Sequence, residues 1–547
     1  MSQPSDMIRP VTITPPDEKK RMTRSTATVL MMIGLLLSKL TGQLREILIV
    51  PIFGGLGVES DAFIIGFQIP DLFYQLLVGG AIQAAITPTL ARAIERKREK
   101  AGWRSISIFI NTAAVVMVLA VVLGELLAPL LIKAYNVGKN PQTIALAIRV
   151  TRALFPQVFF MMLAALCIGI LNAYKKFGST SFGPSIYNTC VVLSMVILGQ
   201  ATVNGPIRVA FGVMISALVF FLIQFFLARK EFRQYVFSLD IHDSGFRKLL
   251  RLAIPTLISG SIIQLNSIIL TRFATQFDGA ATALRQATTT WQLPYGVIVV
   301  AIGNVMLPSL AAACASKSQK QARTIYTQSL RSALFLIFPA AAIFLVMQAD
   351  TIRAIFQWSS HYSEQAVVAT AAILRWYCIA MVAQSVVFIT NHAFYARRIT
   401  HIALYNGILS LLLNTIFCYF LTKNEALSVS ALSLSYMLTS LISAFLLYTL
   451  YRKGFKNAAP RRIWPFIIRL LLCTSVLMIA ILLLAQLPIS PAGKFWQLAW
   501  YGGRALLGFA AYLTIAWMIG LHESKMVQEK IRQLAGRLSV LIKSIKK

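Results

Sequence analysis

Three charges sit inside the first long apolar run: Lys39, Arg45 and Glu46 in SKLTGQLREILIVPIFG, Ser38 to Gly54. An ionisable group near the centre of a bilayer costs several kcal/mol and is kept where it faces a cavity or a partner. On a helical wheel advancing about 100° per residue, Leu40, Leu44, Ile47 and Leu48 share one side. Ser38, Lys39, Thr41, Gly42, Gln43, Arg45 and Glu46 fall on the other, which suits water or a polar ligand. Asp61 opens the second apolar run, and Arg285 lies within the eighth. Glu125, Arg149, Arg152, Arg272 and Arg375 also fall in such runs, several near their ends, where a long side chain can reach the interface. Basic groups outnumber acids here. A guanidinium fork donates two hydrogen bonds to a phosphate, so the pattern points to an anionic ligand more than to a cation or a proton relay.

Enzyme chemistry has little support. His242, His361, His392, His401 and His522 are scattered, and neither paired carboxylates nor an HExxH spacing recurs on one face. A GxxxxGK[ST] motif is absent, so ATP is not expected to drive the protein; gradients, membrane potential or consumption of the product remain. The six cysteines are dispersed without CxxC spacing, and neither a disulfide framework, a metal site nor a cofactor is expected. The formal net charge of +33 could suggest nucleic acid, but no soluble module with a basic face is left over to bind it. Most Lys and Arg lie in short loops, where positive charge holds a loop in the cytoplasm and can meet anionic lipid.

The elements that position these charges are apolar segments. Of 547 residues, 57% are hydrophobic and 13% charged, against about 25% charged in soluble proteins. Runs long enough to cross a hydrocarbon core of about 30 Å recur from end to end. The expected spans are 26–50, 60–91, 104–134, 143–174, 181–202, 206–228, 248–276, 280–312, 324–348, 363–396, 401–422, 425–451, 463–487 and 498–521. This predicts an all-α polytopic membrane protein of about fourteen transmembrane helices. Basic connections such as RAIERKREKAGWR (Arg92 to Arg104) and RKGFKNAAPRR (Arg452 to Arg462) alternate with connections poor in Lys and Arg, which places both termini in the cytoplasm.

An internal repeat appears at an offset of about 220 residues, where AIQAAITPTLA (Ala81 to Ala91) overlies AIGNVMLPSLA (Ala301 to Ala311) and pairs Pro88 with Pro308. Six helices separate the copies, so two six-helix lobes run in parallel, related by an axis along the membrane normal, with a substrate site expected between them. The expected organisation is a cytoplasmic tail (1–25) with no removed signal peptide, an N-lobe (26–228), a linker (229–247), a C-lobe (248–451), helices thirteen and fourteen (463–521), and a basic amphipathic cytoplasmic tail (522–547). Pro88 and Pro308 are candidate bending points.

The run SKLTGQLREILIVPIFGGLGVESDAFIIGFQIPDLFYQLLVGGAIQAAITP, Ser38 to Pro88, resembles the opening signature of the MurJ (MviN) lipid II flippases, in the multidrug/oligosaccharidyl-lipid/polysaccharide exporter superfamily. Its matching features are Ser-basic-x-x-Gly, Arg-acidic, Phe-Gly, Asp-Ala-Phe, Pro and Gly-Ala. WQLPYGVIVVAIGNVMLPSLA, Trp291 to Ala311, continues the resemblance. The resemblance implies two lobes around a cationic cavity, with the last two helices adding a groove for a polyprenyl tail. The implied ligand is the undecaprenyl-pyrophosphate disaccharide-peptide precursor, moved from the inner to the outer leaflet of the bacterial cytoplasmic membrane, with cell-wall synthesis proteins as candidate partners.

Lys39, Arg45, Glu46 and Asp61 match family positions. Two expected arginines are absent, replaced at Tyr74, beside Gln75, and at Thr289; Arg285, one turn before Thr289, could restore charge on nearly the same face. The departures leave open another polyprenyl-linked glycan as substrate. A drug or cation antiporter of the same superfamily would be expected to carry acidic cavity residues, a membrane-embedded transferase would need a clustered constellation, and a scaffold would have all its internal charges paired.

Overall fold

The computed structural model describes residues 24–77, 81–135, 140–176, 180–455, 463–487 and 493–525. The two expected tails lie largely outside these residues. The helices are α1 (Arg24–Phe53), α2 (Val58–Leu77), α3 (Ala81–Glu95), α4 (Glu99–Tyr135), α5 (Pro141–Ala173), α6 (Gly183–Leu198), α7 (Gly205–Ala228), α8 (Ser244–Ala274), α9 (Ala280–Tyr295), α10 (Ala301–Ala315), α11 (Gln319–Val346), α12 (Gln348–Phe356), α13 (Glu364–Ala396), α14 (Thr400–Leu421), α15 (Ser430–Gly454), α16 (Ile463–Ala485) and α17 (Lys494–Met518). Each of the fourteen expected spans falls on helix, and no strand occurs among the described residues. The chain is an all-α polytopic membrane protein. Among the described residues, nine helical spans are long and apolar enough to cross a membrane, one of them running from Ala280 to Ala315.

The eighth span is two helices, α9 and α10, joined by a π turn at Gly296–Val300. This irregularity follows Pro294, whose ring removes a donor from the helical ladder. Pro308 lies inside α10, beyond the irregular turn.

Buried side chains fall into two sets. Phe63, Ile65, Leu154, Phe155 and Val213 pack together in the first part of the chain, beside a cluster built on Trp103, Ile106 and Phe109. Trp291, Tyr326, Phe335, Tyr377 and Phe394 belong to the second set. Helices α5 and α13, each of 33 residues, start 223 residues apart at Pro141 and Glu364 and run through the middle of their respective halves. α8 is shared between them: Phe246 and Leu249 join the first set, Leu270 and Ala274 the second. Its start is fixed to α4, because Asp243 Oδ1 accepts from the Phe246 amide at 2.7 Å and from Ser105 Oγ at 2.8 Å.

Close packing sets limits on single residues. A Cβ at Gly124 would lie 2.2 Å from the Phe155 ring. Gly124→Ala is therefore expected to destabilise the first half by about 1–3 kcal/mol through overpacking, read as a lower thermal midpoint of the full chain in detergent.

The last helix is tied to the second half at its middle and just beyond its end. Arg504 of α17, 9% exposed, donates to Asp350 of α12 at 2.7 Å, and Arg331 of α11 pairs with Glu523, its Nη2 donating to Oε2 at 3.1 Å. An apolar cleft of about 490 Å³ lies among α11, α13, α15 and α16, with Leu334, Phe338, Phe445, Trp464 and Ile467 in its walls. Span thirteen contributes to this cleft; its lining includes no residue of span fourteen.

Candidate functional site

The two halves meet along a seam formed by α1 and α2 on one side and by α8 and α9 on the other. α1 carries its polar residues inward because α6 covers its neighbouring face, where Asn188 Nδ2 donates to the Ser38 carbonyl at 3.2 Å and Ser185 Oγ to that of Gly34 at 3.1 Å. Glu46, 3% exposed, projects into the seam. Its Oε1 accepts from Arg45 Nη2 at 2.8 Å and from Arg285 Nη2 at 3.0 Å, and its Oε2 accepts from Arg285 Nε at 3.3 Å. Arg285 thus presents its fork to one carboxylate, while the Arg45 guanidinium also lies 5.6 Å from the Phe67 ring centre. Two cations from opposite halves hold one anion.

Toward the end that carries the Gly54–Gly57 turn, Asp61 closes the seam. Its Oδ1 accepts from the Thr282 amide at 2.9 Å and from Thr282 Oγ1 at 2.7 Å. α9 has Gly279 at its N-cap, with no side chain to satisfy the first free amides, so a carboxylate of the other half supplies the cap. Farther along, Gln68 Nε2 donates to Ser267 Oγ at 3.1 Å, a second link from α2 to α8.

Lys39 stands apart from this cluster, about 9 Å earlier along α1 at 1.5 Å per residue. Its side chain is exposed and crosses toward the irregular turn of the other half: a Cβ at Gly296 would sit 3.0 Å from Lys39 Nζ.

The structure therefore brings Arg45, Glu46 and Arg285 into direct contact and sets Asp61 and Lys39 at two levels of the same seam. Thr289, where a family arginine was expected, instead donates to the Gln286 carbonyl of its own helix at 3.0 Å. The remaining sequence candidates lie elsewhere. Arg149, Arg152, Arg272 and Arg375 are exposed; Arg149 reaches Asn204 at 3.4 Å, and Arg152 bonds the Glu125 carbonyl at 3.2 Å. Asp71 of α2, which sequence reading passed over, lies within the field of Arg285, Arg45 and Glu46. A signal for it was present: Asp61, Gln68, Asp71 and Gln75 fall within about 80° on a wheel of 100° per residue.

Known proteins share this arrangement of helices. The family model described as "Lipid II flippase MurJ" matches residues 49–495. The chain belongs to the lipid II flippase MurJ family. A relative named probable lipid II flippase MurJ from Rhizobium meliloti (strain 1021) is 26% identical over 520 residues, covering 92% of this chain and 95% of its own. One from Treponema pallidum (strain Nichols) is 26% identical over 428 residues, covering 73% and 79%. Among solved structures, the lipid II flippase MurJ in an inward closed conformation superposes with a TM-score of 0.74 at 20% identity, over 90% of this chain and 98% of that one. An inward-facing multidrug resistance MATE family transporter of the MOP superfamily gives 0.66 at 15% identity, over 78% and 98%. The MurJ family fold is that of a membrane transporter rather than an enzyme.

Proposed function

We propose that this protein moves lipid II, the undecaprenyl-pyrophosphate disaccharide-peptide precursor of the cell wall, from the inner to the outer leaflet of the bacterial cytoplasmic membrane. The observation that carries this reading is the buried Glu46 carboxylate gripped by Arg45 and Arg285 from opposite halves. A pyrophosphate carries more charge and more acceptor oxygens than a carboxylate, so it competes for the same guanidinium forks. When it takes them, the ion pair across the seam is broken, and binding of cargo is coupled to separation of the two lobes.

With both termini in the cytoplasm, the Gly54–Gly57 turn is on the outer side, and the bonds of Asp61 hold the outer end shut. The cavity then opens inward past Lys39, which draws the headgroup in. Glu46 limits how tightly the anion is held and reoccupies the arginines after release. An inside-negative potential favours outward movement of an anion by about 2.3 kcal/mol per charge per 100 mV. The apolar cleft along α16 accommodates the tail, and cell-wall synthesis proteins consume the product on the outer side.

Complementation tests this reading. In a bacterium depleted of its own lipid II flippase, the wild-type chain is expected to restore growth, and Arg45→Ala at matched expression is expected to fail. A membrane-inserted wild type that neither rescues nor translocates labelled lipid II in proteoliposomes would overturn it.

A further inference from the structure

Beside the arginine pair, a cavity of about 120 Å³ opens into the wall formed by α2, α8, α9, α13 and α15. At about 30 Å³ per water it has room for four waters, or for one edge of a small ring with its substituent. Its chemistry differs from that of the seam. Arg285, at its mouth, is the one charged residue among the described lining residues; the rest are aromatic, amide, hydroxyl or aliphatic. Trp291, Tyr377 and Tyr436 enclose one side, with ring centres 5.9, 6.0 and 5.4 Å apart. Gln292 contributes an amide that can both donate and accept, while Gln68 Nε2 is held by Ser267 and Asn266 Oδ1 accepts from Asn414 Nδ2 at 2.7 Å.

We propose that this cavity recognises the sugar attached to the pyrophosphate, and specifically an acetamido sugar. The assignment rests on the lipid-linked pyrophosphate reading above and adds a site to it. Aromatic faces are electron-rich and attract the weakly positive C–H face of a pyranose. An acetamido group offers both an acceptor and a donor to the Gln292 amide. Among its described lining residues the cavity has no carboxylate to hold a cation and no second cation to hold another phosphate, whereas Arg285 at the entrance places the phosphate next to the sugar. Thr288, Gln292 and Tyr436 are the residues that set the preference for a glycosylated lipid over a bare one.

The test uses the full chain in nanodiscs and compares equilibrium binding of lipid II with that of undecaprenyl pyrophosphate, which has the same tail and pyrophosphate without sugar. Wild type is expected to bind lipid II more tightly. Thr288→Val, which preserves shape, combined with Gln292→Leu at an exposed position, is expected to weaken lipid II about tenfold and leave undecaprenyl pyrophosphate unchanged. Tyr436→Leu is expected to do the same. Equal binding of the two lipids by wild type, or loss of both in the variants with an unchanged thermal midpoint, would overturn the sugar site while leaving the flippase reading intact. Failure of wild type to bind either lipid would overturn both.

Discussion

Arg285→Ala in the full-length chain is expected to abolish rescue of a flippase-depleted bacterium, and adding Thr289→Arg is expected to restore it. Arg285 makes two charge-assisted hydrogen bonds to Glu46, a class of bond worth about 1.5–3 kcal/mol each. Its loss removes both the cross-seam contact and one of the two forks available to a pyrophosphate. Positions 285 and 289 are one turn apart on α9, so an arginine at 289 presents charge to nearly the same region. Full activity of Arg285→Ala would show that Arg45 and Lys39 suffice, and failure of the double variant would show that the fork needs the 285 position itself.

Glu46→Gln gives an internal control, because it removes the competing anion and retains hydrogen bonding. If Glu46 limits how tightly cargo is held, this variant binds lipid II more tightly than wild type and turns over more slowly. A purely structural role would instead leave affinity unchanged.

Asp61→Ala is expected to shift the protein away from the conformation closed at the Gly54–Gly57 end and to eliminate net transport. The substitution strips the cap from α9, worth about 1–2 kcal/mol, and orphans the amide of Thr282, a fully buried residue. Together these favour opening of the seam by tens of fold, since about 1.4 kcal/mol corresponds to a factor of ten. Cysteines placed across the seam at the Gly54–Gly57 end should crosslink readily in the wild-type background and poorly in Asp61→Ala. Asp61→Asn keeps an acceptor oxygen at the same place and is expected to retain most crosslinking. If Asp61→Ala crosslinks like wild type, the cap does not hold the seam.

How much of this was legible beforehand differs between elements. The helices were readable because each needs about 20 apolar residues to cross hydrocarbon, and a basic loop is held on one side of the membrane. The inward side of α1 was readable as well, since six polar residues on one side of a helix in lipid must face something polar. The irregular turn at Gly296–Val300 was not, because a π turn has no fixed sequence signature, and the internal repeat singles out Pro88 and Pro308 rather than Pro294.

Composition and periodicity by themselves determined a polytopic helical bundle with charges along its interior, because hydrophobic length and helical phase are local properties of the chain. Which charges meet was decided only by the tertiary structure. Glu46 and Arg285 are 239 residues apart, and Asp61 and Thr282 are 221 apart. Each pair forms only because α1 and α2 close against α9, and nothing in either segment alone encodes that distance. The same holds for the cavity walled by Trp291, Tyr377 and Tyr436: three helices bring the rings together, and each ring read singly in the sequence is indistinguishable from ordinary core.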